Sequence, residues 1–131
     1  MSTSTPQIVL DHVHIYTANP AASAKWFADS LGAEVVTSPI RIEAKLGGLR
    51  VFFEQVSEAD AVGAAPTSPH KGYDHLAFAV KDLDALAADM KSKGVVFTRE
   101  PLTIRPGVRI CFIEGPDGIS IELLERDAKY T

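Results

Sequence analysis

In VLDHVHIYTANP, residues 9 to 20, two histidines stand two positions apart, and in YDHLAFAVKDLD, residues 73 to 84, a third stands in the same layout. Two carboxylates lie in comparably apolar runs, Glu54 in VFFEQV and Glu122 in SIELLE. A carboxylate is expensive to bury unpaired in such a strand, so each must be exposed, hydrogen-bonded or bound to a cation. Two imidazoles and two carboxylates make a ligand set for a divalent metal. The pattern pairs His12 with Glu54 in the first half of the chain and His75 with Glu122 in the second. His14 shares a strand face with His12 and is a candidate base, substrate donor or group that orients a ligand.

The elements that must position these groups can be read from periodicity. IVLDHVHIYT, AEVVTSPIRIEAK, GLRVFFEQV, YDHLAFAV, GVVFTREP, VRICFIE and ISIELLE carry the β-branched and aromatic residues and the partial alternation of strands. NPAASAKWFADSLG and DLDALAADMKSKG read as helices, with Asn19 and Asp82 as N-caps, Pro20 in the first turn, and Gly32 and Gly94 at the ends. Asp11, His12 and Asn19 superpose on Asp74, His75 and Asp82 at an offset of 63. The chain therefore reads as an internal repeat: two β-α-β-β-β modules, residues 8–58 and 73–125, joined by a linker over 59–72 within a single domain spanning 1–131. The expected fold class is α+β, with a curved mixed sheet around a metal-binding cavity. His12, His14 and Tyr16 should share one face of the first strand; regular alternation in VRICFIE would turn Arg109 and Cys111 towards the cavity and Ile110 and Phe112 towards a helix.

Composition narrows the function classes. Of 131 residues, 46% are hydrophobic, enough for a sizeable core. Thirteen basic against seventeen acidic residues give a formal charge of −4 without a basic cluster to follow a phosphate backbone, which argues against a nucleic-acid partner. No apolar run reaches membrane-spanning length, MSTSTPQ lacks the features of a signal peptide, and the single Cys111 excludes an internal disulfide. The expectation is a soluble cytoplasmic protein with a small-molecule substrate and no membrane partner.

DHVHIYTANPAASAKWFADSLG, YDHLAFAVKDLD and GPDGISIEL resemble the vicinal oxygen chelate superfamily, which includes glyoxalase I, methylmalonyl-CoA epimerase, extradiol dioxygenases and metal-free bleomycin-binding proteins. The resemblance runs from about Ile8 to Glu125. It implies a glyoxalase-like single-domain member in which paired modules surround a divalent ion, with His12, Glu54, His75 and Glu122 matching the ligand positions. Short bacterial glyoxalase I generally carries an arginine where Tyr16 stands and an asparagine where Glu58 stands. Those departures imply a small oxygen-bearing substrate in preference to a glutathione conjugate, with Tyr16 and Arg109 as substrate-binding candidates. Such proteins also build sites across chains, and the long linker suits exchange between subunits, so a homodimer is expected.

The expected chemistry is that of a lyase or isomerase: Lewis-acid activation of a carbonyl and proton abstraction from the adjacent carbon, with Glu122 or Glu54 as base and His14 as their rival. One divalent ion is expected per site; imidazole content favours nickel, cobalt or zinc, with manganese, magnesium and iron open. A facial triad of His12, His75 and Glu122 would instead suit an iron(II) extradiol-type dioxygenase, from which Glu54 as a fourth ligand argues away. A metal-free binding or resistance protein is the third alternative, and it would have no need of four matched ligands.

Overall fold

A computed structural model of the chain describes residues 7–127 and residue 129. They fall into two compact units that meet along the chain at Gln55 and Val56.

The first unit runs β1 (Val13–Thr17), α1 (Pro20–Leu31), β2 (Glu34–Thr37), β3 (Ile42–Leu46) and β4 (Leu49–Gln55). Its sheet has the order β1-β4-β3-β2, with β1 parallel to β4 and the other pairs antiparallel. The strand expected from Ile8 starts only at Val13, where the ladder with β4 begins. Asn19 caps α1 by accepting from the amide of Ala22 at 3.0 Å, and Pro20 opens the helix where an amide would have no partner. Gly32, at φ +74°, ends it in the left-handed conformation that glycine adopts without penalty. The helix packs on β2, β3 and β4. Phe27 is completely buried and meets Phe53 edge to face at 5.4 Å. Burial of such a ring contributes about 1.5–3 kcal/mol.

The second unit repeats the plan: β5 (His75–Ala79), α2 (Leu83–Ser92), β6 (Phe97–Arg105), β7 (Val108–Glu114) and β8 (Ser120–Arg126), in the sheet order β5-β8-β7-β6. The two β-α-β-β-β modules therefore stand as expected, each with its own four-stranded mixed sheet. Leu83, Ala87 and Met90 form the buried side of α2, and Cys111, Ile113, Ile121 and Leu123 are buried in β7 and β8. Asp82 holds the N-cap position but makes no capping bond with its side chain. The Glu125 carboxylate in β8 accepts instead from the amides of Asp82 and Leu83, at 2.9 and 3.2 Å. Strand β6 runs to Arg105, past Pro101 where the expected strand ended, because an edge strand tolerates a missing amide.

Between the modules, residues 58–60 form a single helical turn and the Ala65 amide bonds the Asp117 carbonyl at 3.0 Å, tying the linker to the turn before β8. Among the described residues no helix is long and apolar enough to cross a membrane.

Candidate functional site

In the second module His75 opens β5, and the parallel ladder sets His75 opposite Ser120 and Ala77 opposite Glu122. Glu122 thus lies diagonally across from His75, on the same face of the sheet. His75 Nε2 and Glu122 Oε1 are 3.0 Å apart. On the other side of the ring, Nδ1 donates to Asp74 Oδ2 at 2.7 Å, and Asp74 also accepts from Ser68 Oγ. Phe112 meets the imidazole edge-on at 5.0 Å. The Asp74 hydrogen bond is the main influence holding the His75 proton more tightly than usual, and the Glu122 bond adds to it against partial desolvation. Asp74 in turn is held below the ordinary carboxylate range, first by His75 and then by Ser68.

With Nδ1 committed to Asp74, Nε2 is the ring nitrogen that can offer a lone pair to a cation. Ligands bound at about 2.1 Å in adjacent octahedral positions stand about 3 Å apart, so His75 Nε2 and Glu122 Oε1 have the spacing and chemistry of two metal donors.

The first module contains a second such diagonal. His14 lies opposite Phe52 in the β1/β4 ladder and Tyr16 opposite Glu54, and His14 Nε2 is 2.9 Å from Glu54 Oε1. Glu54, grouped with His12 in the expected ligand set, forms its hydrogen bond with His14. His12 sits just before β1, with Nδ1 bonded to Asp11 Oδ2 at 2.7 Å and its ring stacked on Phe52 at 3.9 Å and 17°. Glu54 stays in regular ladder register, with no bulge turning Gln55 in its place. Tyr16 is exposed, 5.2 Å from the His14 ring. The Arg41 and Arg50 guanidinium carbons lie 4.1 and 4.9 Å from the Phe52 centroid, and Arg50 is bonded to Glu43 on β3.

Strand β7 alternates with the phase opposite to that expected. Its antiparallel ladder sets Phe112 opposite Glu122 and Cys111 opposite Leu123, so Phe112 lies on the histidine face. Arg109 lies on the α2 side, where Nε and Nη2 donate to the two Asp84 oxygens at 3.0 and 2.7 Å and Nη1 to Thr103 Oγ1 at 3.1 Å. Its guanidinium is thus hydrogen-bonded to α2 and β6. Cys111 is fully buried, and that burial pushes its thiol up to about 11. The Glu58 side chain lies outside the described residues.

Sequence reasoning passed over Asp11 and Asp74, whose signal was the DH dipeptide recurring at the module offset, and Phe52 and Phe112, which flank the imidazoles. Among the described residues no three His, Cys, Asp or Glu side chains gather as a metal-holding group; each module brings one imidazole within hydrogen-bond distance of a strand glutamate.

Comparison with known proteins agrees with this plan. The uncharacterized protein YaeR of Escherichia coli is 30% identical over 88% of this chain and 94% of its own. Glyoxalase I of Saccharomyces cerevisiae is 23% identical over 94% of this chain, a match that spans only 46% of the yeast protein. The crystal structure of a glyoxalase family protein from Enterococcus faecalis superposes with a TM-score of 0.71 at 26% identity, covering 89% of this chain and 97% of that one. The family model for the Glyoxalase/Bleomycin resistance protein/Dioxygenase superfamily matches residues 9–123, from the strand approach of His12 to the strand of Glu122, and the chain belongs to that superfamily.

Proposed function

We propose that this chain is a divalent-metal-dependent lyase or isomerase acting next to a carbonyl in a small oxygenated substrate. The observation that carries this reading is the repetition of one His–Glu diagonal, at 3.0 Å in the second module and 2.9 Å in the first. A bound divalent ion would polarise the substrate carbonyl and offset the charge left when a proton departs from the neighbouring carbon. His75, Glu122 and Glu54 would hold it, with an imidazole of the first module. Asp74 fixes the His75 ring so that Nε2 faces the site. The Glu122 and Glu54 carboxylates are the candidate bases; Glu54 has the more exposed side chain, at 56% against 16%, and is the better placed to take a proton from a substrate. Tyr16 lies beside His14 where a substrate hydroxyl or carbonyl could be met. Nickel, cobalt and zinc suit the donor set best. A cytoplasmic homodimer is part of the same reading, and the glyoxalase names of relatives support its chemistry without fixing the substrate.

A second reading is favoured by one observation. The module offset sets His14 on Ala77, so the ladders make Phe52 the counterpart of Glu122. The repeat positions alone then give His12, His75 and Glu122, the two-histidine, one-carboxylate set of an iron(II) oxygenase. One experiment separates the two: cobalt- or iron-loaded protein is given small 2-oxo, 2-hydroxycarbonyl and catecholic compounds in deuterated water, with and without oxygen. Metal-dependent deuterium uptake next to a carbonyl without oxygen, lost in Glu122→Gln, is expected. Turnover that requires iron(II) and consumes oxygen stoichiometrically would overturn the lyase or isomerase reading.

A further inference from the structure

We propose that Arg41 anchors a carboxylate of the substrate, so that the molecule taken up on the histidine face of the first sheet is a small carboxylic acid; this rests on the reading of that face as a substrate site. The antiparallel ladder sets Ile42 opposite Phe53 and Glu43 opposite Phe52, and the parallel ladder sets His14 opposite Phe52. Phe53 meets Phe27 of α1, so Phe52, Glu43 and His14 belong to the face away from the helix. Arg41, two residues before Glu43, sends its guanidinium to that face, where its carbon lies 4.1 Å from the Phe52 ring centre. The His12 ring is stacked 3.9 Å from the same centre. A molecule of a few carbon atoms can therefore touch both the guanidinium and the imidazole.

Arg41 is held in place without being used up. A turn fixes its backbone: the amide donates to Ser38 Oγ at 3.3 Å and the carbonyl accepts from the Ser38 amide at 2.9 Å. Its guanidinium makes no hydrogen bond or ion pair among the described residues, whereas Arg50 donates through Nε and Nη2 to the buried Glu43 and Arg109 donates to Asp84. Cation–π attraction to Phe52 positions the group and leaves its fork of N–H donors for a planar anion, which a carboxylate meets with two parallel hydrogen bonds. The charge of the surroundings favours a monoanion. Three cations, Arg41, Lys45 and Arg50, face two carboxylates, Asp11 and Glu43, and Glu54 further along β4 is taken up by His14. One positive charge is left over, which a carboxylate balances and a phosphate dianion would exceed.

The test titrates the full chain, freed of metal so that no carboxylate is held through an ion, with 2-oxobutyrate, 2-hydroxybutyrate, the uncharged 2-hydroxybutyramide and inorganic phosphate at constant ionic strength. Binding is followed by NMR through the Arg41 Nε–H signal, assigned as the one missing from Arg41→Lys. Both acids should shift that signal to saturation and the amide should not. Loss of a hydrogen-bonded charged partner should weaken acid binding about tenfold or more in Arg41→Gln. Arg99→Gln, which removes the same charge from β6 of the second module, should leave it unchanged. If Arg41→Gln does not fold, the wild-type signal decides alone: a saturating shift with the acids supports the anchor, and a signal that stays still overturns it. Wild-type affinity in Arg41→Gln, equal binding of acid and amide, equal losses in the Arg41 and Arg99 variants, tighter binding of phosphate, or no saturable binding of either acid would each overturn it. None of these outcomes touches the metal-dependent deuterium uptake, so failure of the anchor is told apart from failure of the lyase or isomerase reading.

Discussion

The second module keeps its imidazole and carboxylate at the mouth of β5, with a carboxylate behind the ring and an aromatic edge beside it; the first keeps an equivalent pair one same-face position further along β1, behind a second histidine stacked on a phenylalanine. The helices differ in the same way. Asn19, local in sequence, caps α1, whereas α2 is capped by Glu125 from a strand more than forty residues away. A duplicated backbone plan thus tolerates different side-chain solutions, provided that each solution keeps its own geometry. What is constant is the relation across two parallel strands, not the residue number.

The two cores give the largest effects by which the comparison can be broken. Phe27→Ala in the first module should cost about 3–5 kcal/mol, and Leu123→Ala in the second about 2–5 kcal/mol, as measured by denaturant unfolding. A cost below about 1 kcal/mol at either position would show that the module is not organised around that side chain. Next come the caps. Replacing Asn19 or Glu125 by Ala should cost about 0.5–2 kcal/mol each, while Asp82→Ala should change stability little, because its side chain makes no capping bond. Equal losses for Asp82 and Glu125 would remove the distinction between local and long-range capping.

The same contrast explains what the sequence could tell. Both helices and the module repeat were legible because hydrophobic period, Pro20 and the glycine ends are local signals. The partner of Glu54 was not: it depends on ladder register, and a shift of two residues leaves the alternating pattern unchanged. Alternation in β7 likewise announced two faces without saying which met the helix. Arg109 could point towards α2 because Asp84 and Thr103 satisfy its guanidinium there. Glu125 looked like one more strand-end charge until α2 was packed against β8.

Two smaller effects sharpen the assignment of faces in the second sheet. With its thiol raised to about 11 and fully buried, Cys111 should resist a disulfide reagent at pH 8 in the folded protein and react on unfolding; rapid labelling of the native state would put it on the wrong face. The smallest effect is that of the Asp84–Arg109 pair. Arg109 holds the Asp84 carboxyl below its ordinary value of 3.8, so the stabilising contribution is present above that pH and is lost as pH falls through the lower folded-state value. The melting temperature of Asp84→Asn should therefore lie slightly below that of the wild type at neutral pH and converge with it in acid; a difference that grows on acidification would contradict the pairing. Both groups are exposed, so the shift should be small and weaken with salt.

The proposal that His75 and Glu122 help to hold a divalent ion is tested most directly by metal content after reconstitution. Wild-type chain, His75→Ala and Glu122→Ala are each incubated with nickel, cobalt, zinc, manganese, magnesium or iron(II), freed of loose metal and measured by elemental analysis. The account predicts about one equivalent per wild-type chain for at least one of these ions, and far less in both variants although they fold. A wild type that retains none of the six, or variants that retain as much as the wild type, would contradict it.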